Sequence, residues 1–71
     1  MSRSFAILLR EARLHTPDPE RPGKMLTQPR AATLIGVCLE SYRKYEQSRS
    51  LPHPLVRREI FRLWPDLCST D

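Results

Sequence analysis

The fold is decided by residues 26–50, which read LTQPRAATLIGVCLESYRKYEQSRS. Apolar residues recur at helical spacing on both sides of Gly36, so this stretch predicts two short amphipathic helices joined by a tight turn. Glycine takes the left-handed conformation that ends many helices without strain, which places the turn at Gly36. We expect the first of these helices at about residues 27–35 and the second at about residues 38–47.

Local signals support both helices. Thr27 can cap the first helix with its hydroxyl, and Pro29 falls in the first turn, where a missing N–H costs little. In the second helix, Tyr42 and Tyr45 are predicted to face the core together with Val37 from the turn. The opposite side of the second helix is polar and basic.

Two further helices are predicted on either side of this stretch, at about residues 4–14 and 54–64, the latter with Pro54 in its first turn. Residues 16–25 contain three prolines and are expected to form a solvated, partly mobile loop. No alternating strand pattern persists anywhere. The predicted fold is therefore all-α, a four- to five-helix bundle in one domain spanning residues 1–71.

Length and composition narrow the function classes. Seventy-one residues make one domain at most, and the net charge of +4 with a pI near 9.7 favours a polyanionic partner. No apolar run reaches the roughly 20 residues that span a bilayer, and Arg10 and Glu11 interrupt the apolar start, so no signal peptide is predicted. We find no nucleophile–base pair, carboxylate dyad or phosphate-binding glycine loop, which predicts a protein that is not an enzyme and needs no cofactor.

The two cysteines, Cys38 and Cys68, show no CxxC or Cys–His metal spacing. With His15 and His53 they have the right types for four zinc ligands, but nothing in the spacing indicates a zinc site. We therefore predict no metal, and two free thiols in a reducing cytosol.

A series of residues, taken in order, resembles the helix-turn-helix of the Cro and lambda-repressor type, often called the XRE family. The residues that carry the resemblance are Leu26, Thr27, Gln28, Ala32, Leu34, Ile35, Gly36, Val37, Tyr45, Glu46, Arg49 and Pro52. The match covers residues 26–52 and extends more loosely to residues 9–13 and the fourth helix. The chain departs from the family pattern at Pro29, Arg30 and Cys38, in its longer loop, and in a fifth helix that is shortened or missing.

The resemblance implies that the helix at residues 38–47 lies in the major groove of DNA. It implies base contacts from Leu39, Glu40, Ser41, Arg43 and Lys44. Phosphate contacts are expected from Thr27, Gln28, Arg30, Arg43, Gln47, Arg49, Arg57 and Arg58. Glu40 can accept from cytosine N4, Lys44 can donate to guanine, and Leu39 can pack on a thymine methyl. The alternative for Glu40 is a pair with Arg43 or Lys44 within its own helix.

Two more contacts are expected. The resemblance implies a structural ion pair between Arg10 and Glu46, linking the first and third helices. Phe61 and Trp64 widen the apolar side of the last helix, and with Leu67 they form either a dimer interface or a cap over a thin core.

The resemblance as a whole implies a small, sequence-specific, cytoplasmic transcription regulator of bacterial or phage origin. We expect a repressor that occupies a palindromic operator as a homodimer, with half-sites about 10 bp apart or a multiple of that. The alternative is a protein-interaction module, such as an antitoxin or a phage-encoded inhibitor, that uses Phe61, Trp64 and Leu67 as its interface.

Overall fold

A computed structural model describes residues 4–69 of the chain, and among them the side chains as far as Leu67. It contains four α-helices and a final 3₁₀ helix: α1 (Phe5–Leu14), α2 (Gln28–Ile35), α3 (Leu39–Glu46), α4 (Pro54–Leu63) and Pro65–Ser69. No β-strand occurs in the described range, so the predicted all-α class is confirmed. The Cys68 side chain, expected to be a free thiol, lies outside the described residues.

The sequence encodes the helix ends locally. The Ser4 hydroxyl accepts a hydrogen bond from Ile7 N–H at 3.3 Å at the start of α1, and the Thr27 hydroxyl accepts one from Arg30 N–H at 3.4 Å at the start of α2. At the end of α2, Gly36 has φ +93°, and the N–H groups of Gly36 and Val37 both donate to the Ala32 carbonyl. This closure turns the chain sharply into α3 and leaves Val37 packed against the core.

The two ends of α3 are also closed locally, but by residues that are less suitable for capping than those of α2. Cys38 occupies the cap position at the start of the helix but makes no side-chain capping hydrogen bond. At the other end, Ser48 adopts the left-handed conformation (φ +59°), and Arg49 N–H donates to the Lys44 carbonyl at 3.0 Å. Glycine is the usual residue in such a closure. The chain therefore leaves α3 through a defined turn rather than by fraying.

The core forms where α1, α2, α3 and α4 meet. Its largest fully buried side chains are Leu9 of α1, Tyr42 of α3 and Ile60 of α4. Full burial of an aliphatic side chain such as Leu9 contributes about 1.5–3 kcal/mol. The α2 helix presents the small side chains of Ala31 and Ala32, both almost fully buried, to the helices that pack on it.

Trp64 and Leu67, which were candidates for an exposed interface, are core residues instead, each only 8% exposed. The chain bends at Pro65, and the 3₁₀ helix folds back onto α1, which covers both side chains. The Trp64 indole N–H donates to the Thr16 hydroxyl at 2.8 Å. Phe61 is half-buried, with its ring 6.4 Å from that of Phe5. Of the two readings left open by the sequence, these contacts correspond to a cap over the core.

The loop between α1 and α2 is closed by hydrogen bonds. Pro17 and Met25 form an isolated antiparallel bridge, Leu26 N–H donates to the Thr16 carbonyl at 2.9 Å, and Asp18 N–H donates to the Lys24 carbonyl at 2.8 Å. Most of the side chains between these contacts are exposed, but Asp18 is buried. The loop is solvated, as expected, but it has a defined hairpin-like shape.

Among the described helices, none combines the length and the apolar content that crossing a bilayer requires.

The Gly36 turn gives a first prediction. Gly36→Ala should lower the free energy of unfolding by about 1–2 kcal/mol, because an L-residue is strained at positive φ. A methyl group at this position meets no atom within 4 Å, so the loss comes from the backbone alone. Urea unfolding followed by circular dichroism measures it.

Gly36→Asn is the matched control, because asparagine tolerates the left-handed region better than alanine. It should cost less than Gly36→Ala. Equal losses for the two variants would contradict the backbone explanation.

Candidate nucleic-acid interface

One side of α3 is open to solvent and carries five side chains, which we call the α3 surface: Leu39, Glu40, Arg43, Lys44 and Gln47. Their spacing of i, i+1, i+4, i+5 and i+8 places them on one side of a helix. Ser41, also expected to contact bases, is half-buried at the edge of this surface.

The chain beyond α3 adds a further cation. Arg49 lines one shallow depression together with Glu40, Arg43, Lys44 and Gln47. The structure therefore gathers three of the expected base-contact residues and three of the expected phosphate-contact residues at one place, with Arg43 counted in both sets. Three cationic groups and one carboxylate make this depression electropositive.

The dimensions of α3 suit a DNA groove. Eight residues give a helix about 12 Å long and, with side chains, about 10–12 Å across. The major groove of B-DNA is about 12 Å wide. The α3 surface therefore has the size of an element that enters the groove.

Glu40 and Lys44 lie in reach of each other, with Glu40 Oε1 and Lys44 Nζ 3.9 Å apart. Both side chains are largely exposed, so this i, i+4 pair contributes only a few tenths of a kcal/mol. The intrahelical pairing considered from the sequence is thus present. It is weak enough to open when either group meets a stronger partner.

The opposite side of α3 is held by an ion pair with α1. Glu46 Oε2 lies 2.7 Å from Arg13 Nε, and Glu46 Oε1 lies 3.2 Å from Arg13 Nη2. The two side chains are 3% and 11% exposed, respectively. The last turn of α3 is therefore fixed to α1 by a bidentate, largely buried contact.

The expected partner of Glu46 was Arg10, and this prediction is wrong. Arg10 is exposed. The reason is the helical register of α1: Arg13 follows the buried Leu9 by four residues, about 40° around the helix, whereas Arg10 follows it by one residue, about 100° around. Only Arg13 shares the side of α1 that faces α3.

The same ion pair joins α2 to α3. Gln28 Nε2 donates to Glu46 Oε1 at 3.1 Å, and Arg13 Nη1 donates to the Leu26 carbonyl at 3.2 Å. Gln28 was the phosphate contact most favoured by the family resemblance, but its amide is bound within the protein. In the described structure, Gln28 supports the position of α3.

Within this network, Arg13 and Glu46 each favour the ionised form of the other. The hydrogen bond with Glu46 raises the pKa of Arg13. Burial works against ionisation of Glu46, but the hydrogen bonds from Arg13 and Gln28 outweigh it and hold its pKa below the ordinary value of 4.5. Burial and the neighbouring Glu46 carboxylate raise the pKa of Tyr42, which stays neutral. Both charged partners are thus stabilised in their ionised forms.

The other expected phosphate contacts are distributed around the molecule. Arg58 is exposed, and the Arg57 guanidinium lies over the rings of Phe5 and Phe61 at 5.8 and 5.6 Å. Thr27 caps α2. Arg30 makes ion pairs with Asp18 and Glu20 of the preceding loop. These residues do not join the depression beside α3.

Cys38 lies next to the α3 surface and is exposed. Its thiol and the Ser41 hydroxyl are 3.2 Å apart, and this hydrogen bond lowers the pKa of Cys38. Among the residues whose side chains are described, no three histidines, cysteines or acidic residues come together to hold a metal ion.

Three residues with long-range contacts were missed from the sequence: Arg13, which supports the site, and Thr16 and Asp18, which lie away from it. For Arg13, the spacing of four residues from Leu9 was an available signal. For Thr16 and Asp18 the loop gave no such signal, because their partners come from distant parts of the chain.

Comparisons of the chain with protein-family models, with curated proteins and with solved structures give no match.

The Arg13–Glu46 pair gives a second prediction. Arg13→Met and Glu46→Met should each lower the free energy of unfolding by about 3 kcal/mol, because each leaves a largely buried charge without its partner. The double variant should lose less than the sum of the two single losses. Chemical denaturation of the natural chain, the two single variants and the double variant measures these losses as a double-mutant cycle.

Arg10→Met is the control on the same helix and should change stability by less than about 0.5 kcal/mol. Additive losses in the cycle would show that the two side chains do not act as a pair.

The third prediction concerns acid. A carboxylate whose pKa is lowered by folding adds stability above its unfolded pKa and loses it as pH falls through the folded value. We therefore expect the free energy of unfolding to decrease as pH falls below 4.5, the ordinary value for Glu46. Denaturation at a series of pH values measures this dependence.

Glu46→Gln should reduce the acid dependence, whereas Glu59→Gln on the exposed side of α4 should retain it. An unchanged pH profile in Glu46→Gln would assign acid sensitivity to other carboxylates.

Proposed function

We propose that the protein is a small, sequence-specific DNA-binding regulator that reads duplex DNA by placing the α3 surface in the major groove. The observation that carries the proposal is the contrast between the two sides of α3. Polar and cationic side chains cover the outer side, while Tyr42 and Glu46 fix the inner side in the core. A helix that recognises DNA needs accessible polar groups on one side and rigid packing on the other.

The connection between α2 and α3 supports the same proposal. Three residues, Gly36, Val37 and Cys38, join the two helices, and DNA-binding helix-turn-helix motifs use turns of three to four residues that often contain glycine. In this interpretation α2 lies across the groove and α3 enters it. The resemblance of residues 26–52 to the XRE family implies the same roles for the two helices.

The α3 surface offers chemistry for base recognition. Glu40 would accept from a cytosine amine, Lys44 would donate to guanine O6 or N7, and Leu39 would contact a thymine methyl. Arg43, Gln47 and Arg49 would bind phosphates on the flanks of the groove and set the docking register. Arg57 and Arg58 of α4 would add phosphate contacts at the margin.

We propose repression as the mode of action, through occupancy of an operator by two copies of the chain. A palindromic operator has two identical half-sites related by the two-fold axis of the dimer. The burial of Trp64 and Leu67 means that the contact between copies must use other residues.

A protein-interaction module is the second candidate, and one observation favours it. Leu51 and Leu55, on either side of the start of α4, are 83% and 63% exposed. A contiguous exposed apolar patch marks a surface that contacts another protein, and these two leucines would be its first members. In this alternative the α3 surface would be a solvated helix face.

Selection of bound duplexes from a random DNA pool distinguishes the two candidates. An enriched motif with two-fold symmetry supports a dimeric DNA reader. If no sequence is enriched and the protein shows no salt-dependent DNA binding, the DNA-binding proposal is wrong and the interaction module is favoured.

The fourth prediction tests the residues. Glu40→Ala and Lys44→Ala should each weaken binding to the selected duplex at least about fivefold, because each removes a base contact. Lys24→Ala, an exposed cation in the loop, is the control and should leave sequence preference unchanged. If Arg43, Arg49, Arg57 and Arg58 each neutralise one phosphate, the logarithm of the binding constant should fall with log salt at a slope of about −3.6. Fluorescence anisotropy at several salt concentrations measures both effects.

A further inference from the structure

Arg30 was expected to contact a DNA phosphate, but its guanidinium is paired with two carboxylates of its own chain. Its Nη2 lies 2.9 Å from Glu20 Oε2, and its Nε lies 3.5 Å from Asp18 Oδ2. The Arg30 side chain is 29% exposed, so part of it is accessible to solvent.

The two carboxylates are held very differently. The Asp18 side chain is fully buried, and its Oδ1 accepts a hydrogen bond from Glu20 N–H at 3.0 Å. The Glu20 side chain is 71% exposed. Asp18 is thus part of the folded loop, whereas the Glu20 carboxylate is bound to Arg30 by one surface ion pair that contributes little.

The guanidinium is also incompletely satisfied. Arg30 Nε and Asp18 Oδ2 are both buried, and neither makes a hydrogen bond within the described part of the chain. A phosphate presents oxygens in the same fork geometry as a carboxylate, with more charge, and arginine binds both. A phosphate oxygen is therefore a suitable replacement for Glu20 at Nη2, whereas the buried Nε stays beside Asp18.

Arg30 also lies at the correct end of α2. The start of α2 meets the end of α3 through the contact between Gln28 and Glu46 at 3.1 Å. Gln47 and Arg49, at the end of α3, are expected to bind the DNA backbone. In the proposed docking, a DNA strand bound at Gln47 and Arg49 would continue toward the first turn of α2, where Arg30 lies.

We propose that the Glu20 carboxylate is an intramolecular competitor for a DNA phosphate at Arg30. In the free protein Glu20 occupies the guanidinium, and on DNA binding a backbone phosphate replaces it. This proposal rests on the proposed function. Its consequence is that the loop lowers the affinity for DNA, because the Glu20–Arg30 pair must open before the phosphate binds.

The fifth prediction follows from this exchange. In Glu20→Gln, affinity for a fluorescein-labelled duplex of mixed sequence, about two helical turns long, should rise about two- to fivefold at low salt. The salt slope should stay nearly unchanged, because Arg30 neutralises the same phosphate in both complexes. In the Arg30→Gln background the same substitution should have no effect. Circular dichroism checks that every variant is folded.

Glu59→Gln is the matched control, because it removes one carboxylate from another exposed ion pair, with Arg62 on α4. An equal gain in Glu59→Gln would show a general effect of net charge and would overturn the competition. If the duplex binds, no gain in Glu20→Gln, or a gain that persists in the Arg30→Gln background, would also overturn it.

A measurement without DNA separates this proposal from the proposed function. The Arg30 Nε–H resonance is followed by NMR while inorganic phosphate is added. In Glu20→Gln it should respond at lower phosphate concentration than in the natural chain, whether or not the duplex binds. If the duplex fails to bind but this response is seen, the Arg30 site stands and the α3 proposal fails. Equal responses in the two proteins would overturn the Arg30 site.

Discussion

The bidentate contact between Arg13 and Glu46 is the interaction on which the arrangement of this molecule depends. It joins α1 to the last turn of α3, and through Gln28 and the Leu26 carbonyl it also joins the start of α2. Three segments far apart in the chain therefore converge on one charged pair. A hydrophobic core of this size packs without strong directionality. The pair adds direction, because two parallel hydrogen bonds between a guanidinium and a carboxylate restrict their relative orientation.

This arrangement explains how so small a chain presents a rigid helix to solvent. Tyr42, in the middle of α3, is completely buried, and Glu46 is fixed one turn later. Two anchors on the inner side define both the position and the rotation of the helix. The charges of the outer side contribute little to stability, since the Glu40–Lys44 pair is exposed. The residues of α3 that stabilise the fold thus lie on one side of the helix, and its exposed polar residues lie on the other.

The features that the sequence predicted well were those set by neighbouring residues. Thr27 caps α2 and Gly36 ends it because hydroxyl capping and left-handed closure are local properties. The features that it predicted poorly depend on distant partners. The family analogy suggested Arg10 as the partner of Glu46, but the register of α1 turns Arg13 to that position. The sequence left Trp64 as a candidate for an interface, but the 3₁₀ helix covers its side chain. The spacing of residues gave no indication of the contact between Asp18 and Arg30.

The division of α3 into two sides has a consequence for how such a protein changes over generations. The residues that hold the helix and the residues that face solvent are different, although they alternate along one short segment. Exchange of Leu39, Glu40, Arg43 or Lys44 leaves the anchors at Tyr42 and Glu46 intact. The chemistry of this surface can therefore diverge between descendants of one gene while the scaffold stays constant. Substitutions that change the surface are thereby separated from substitutions that destabilise the fold.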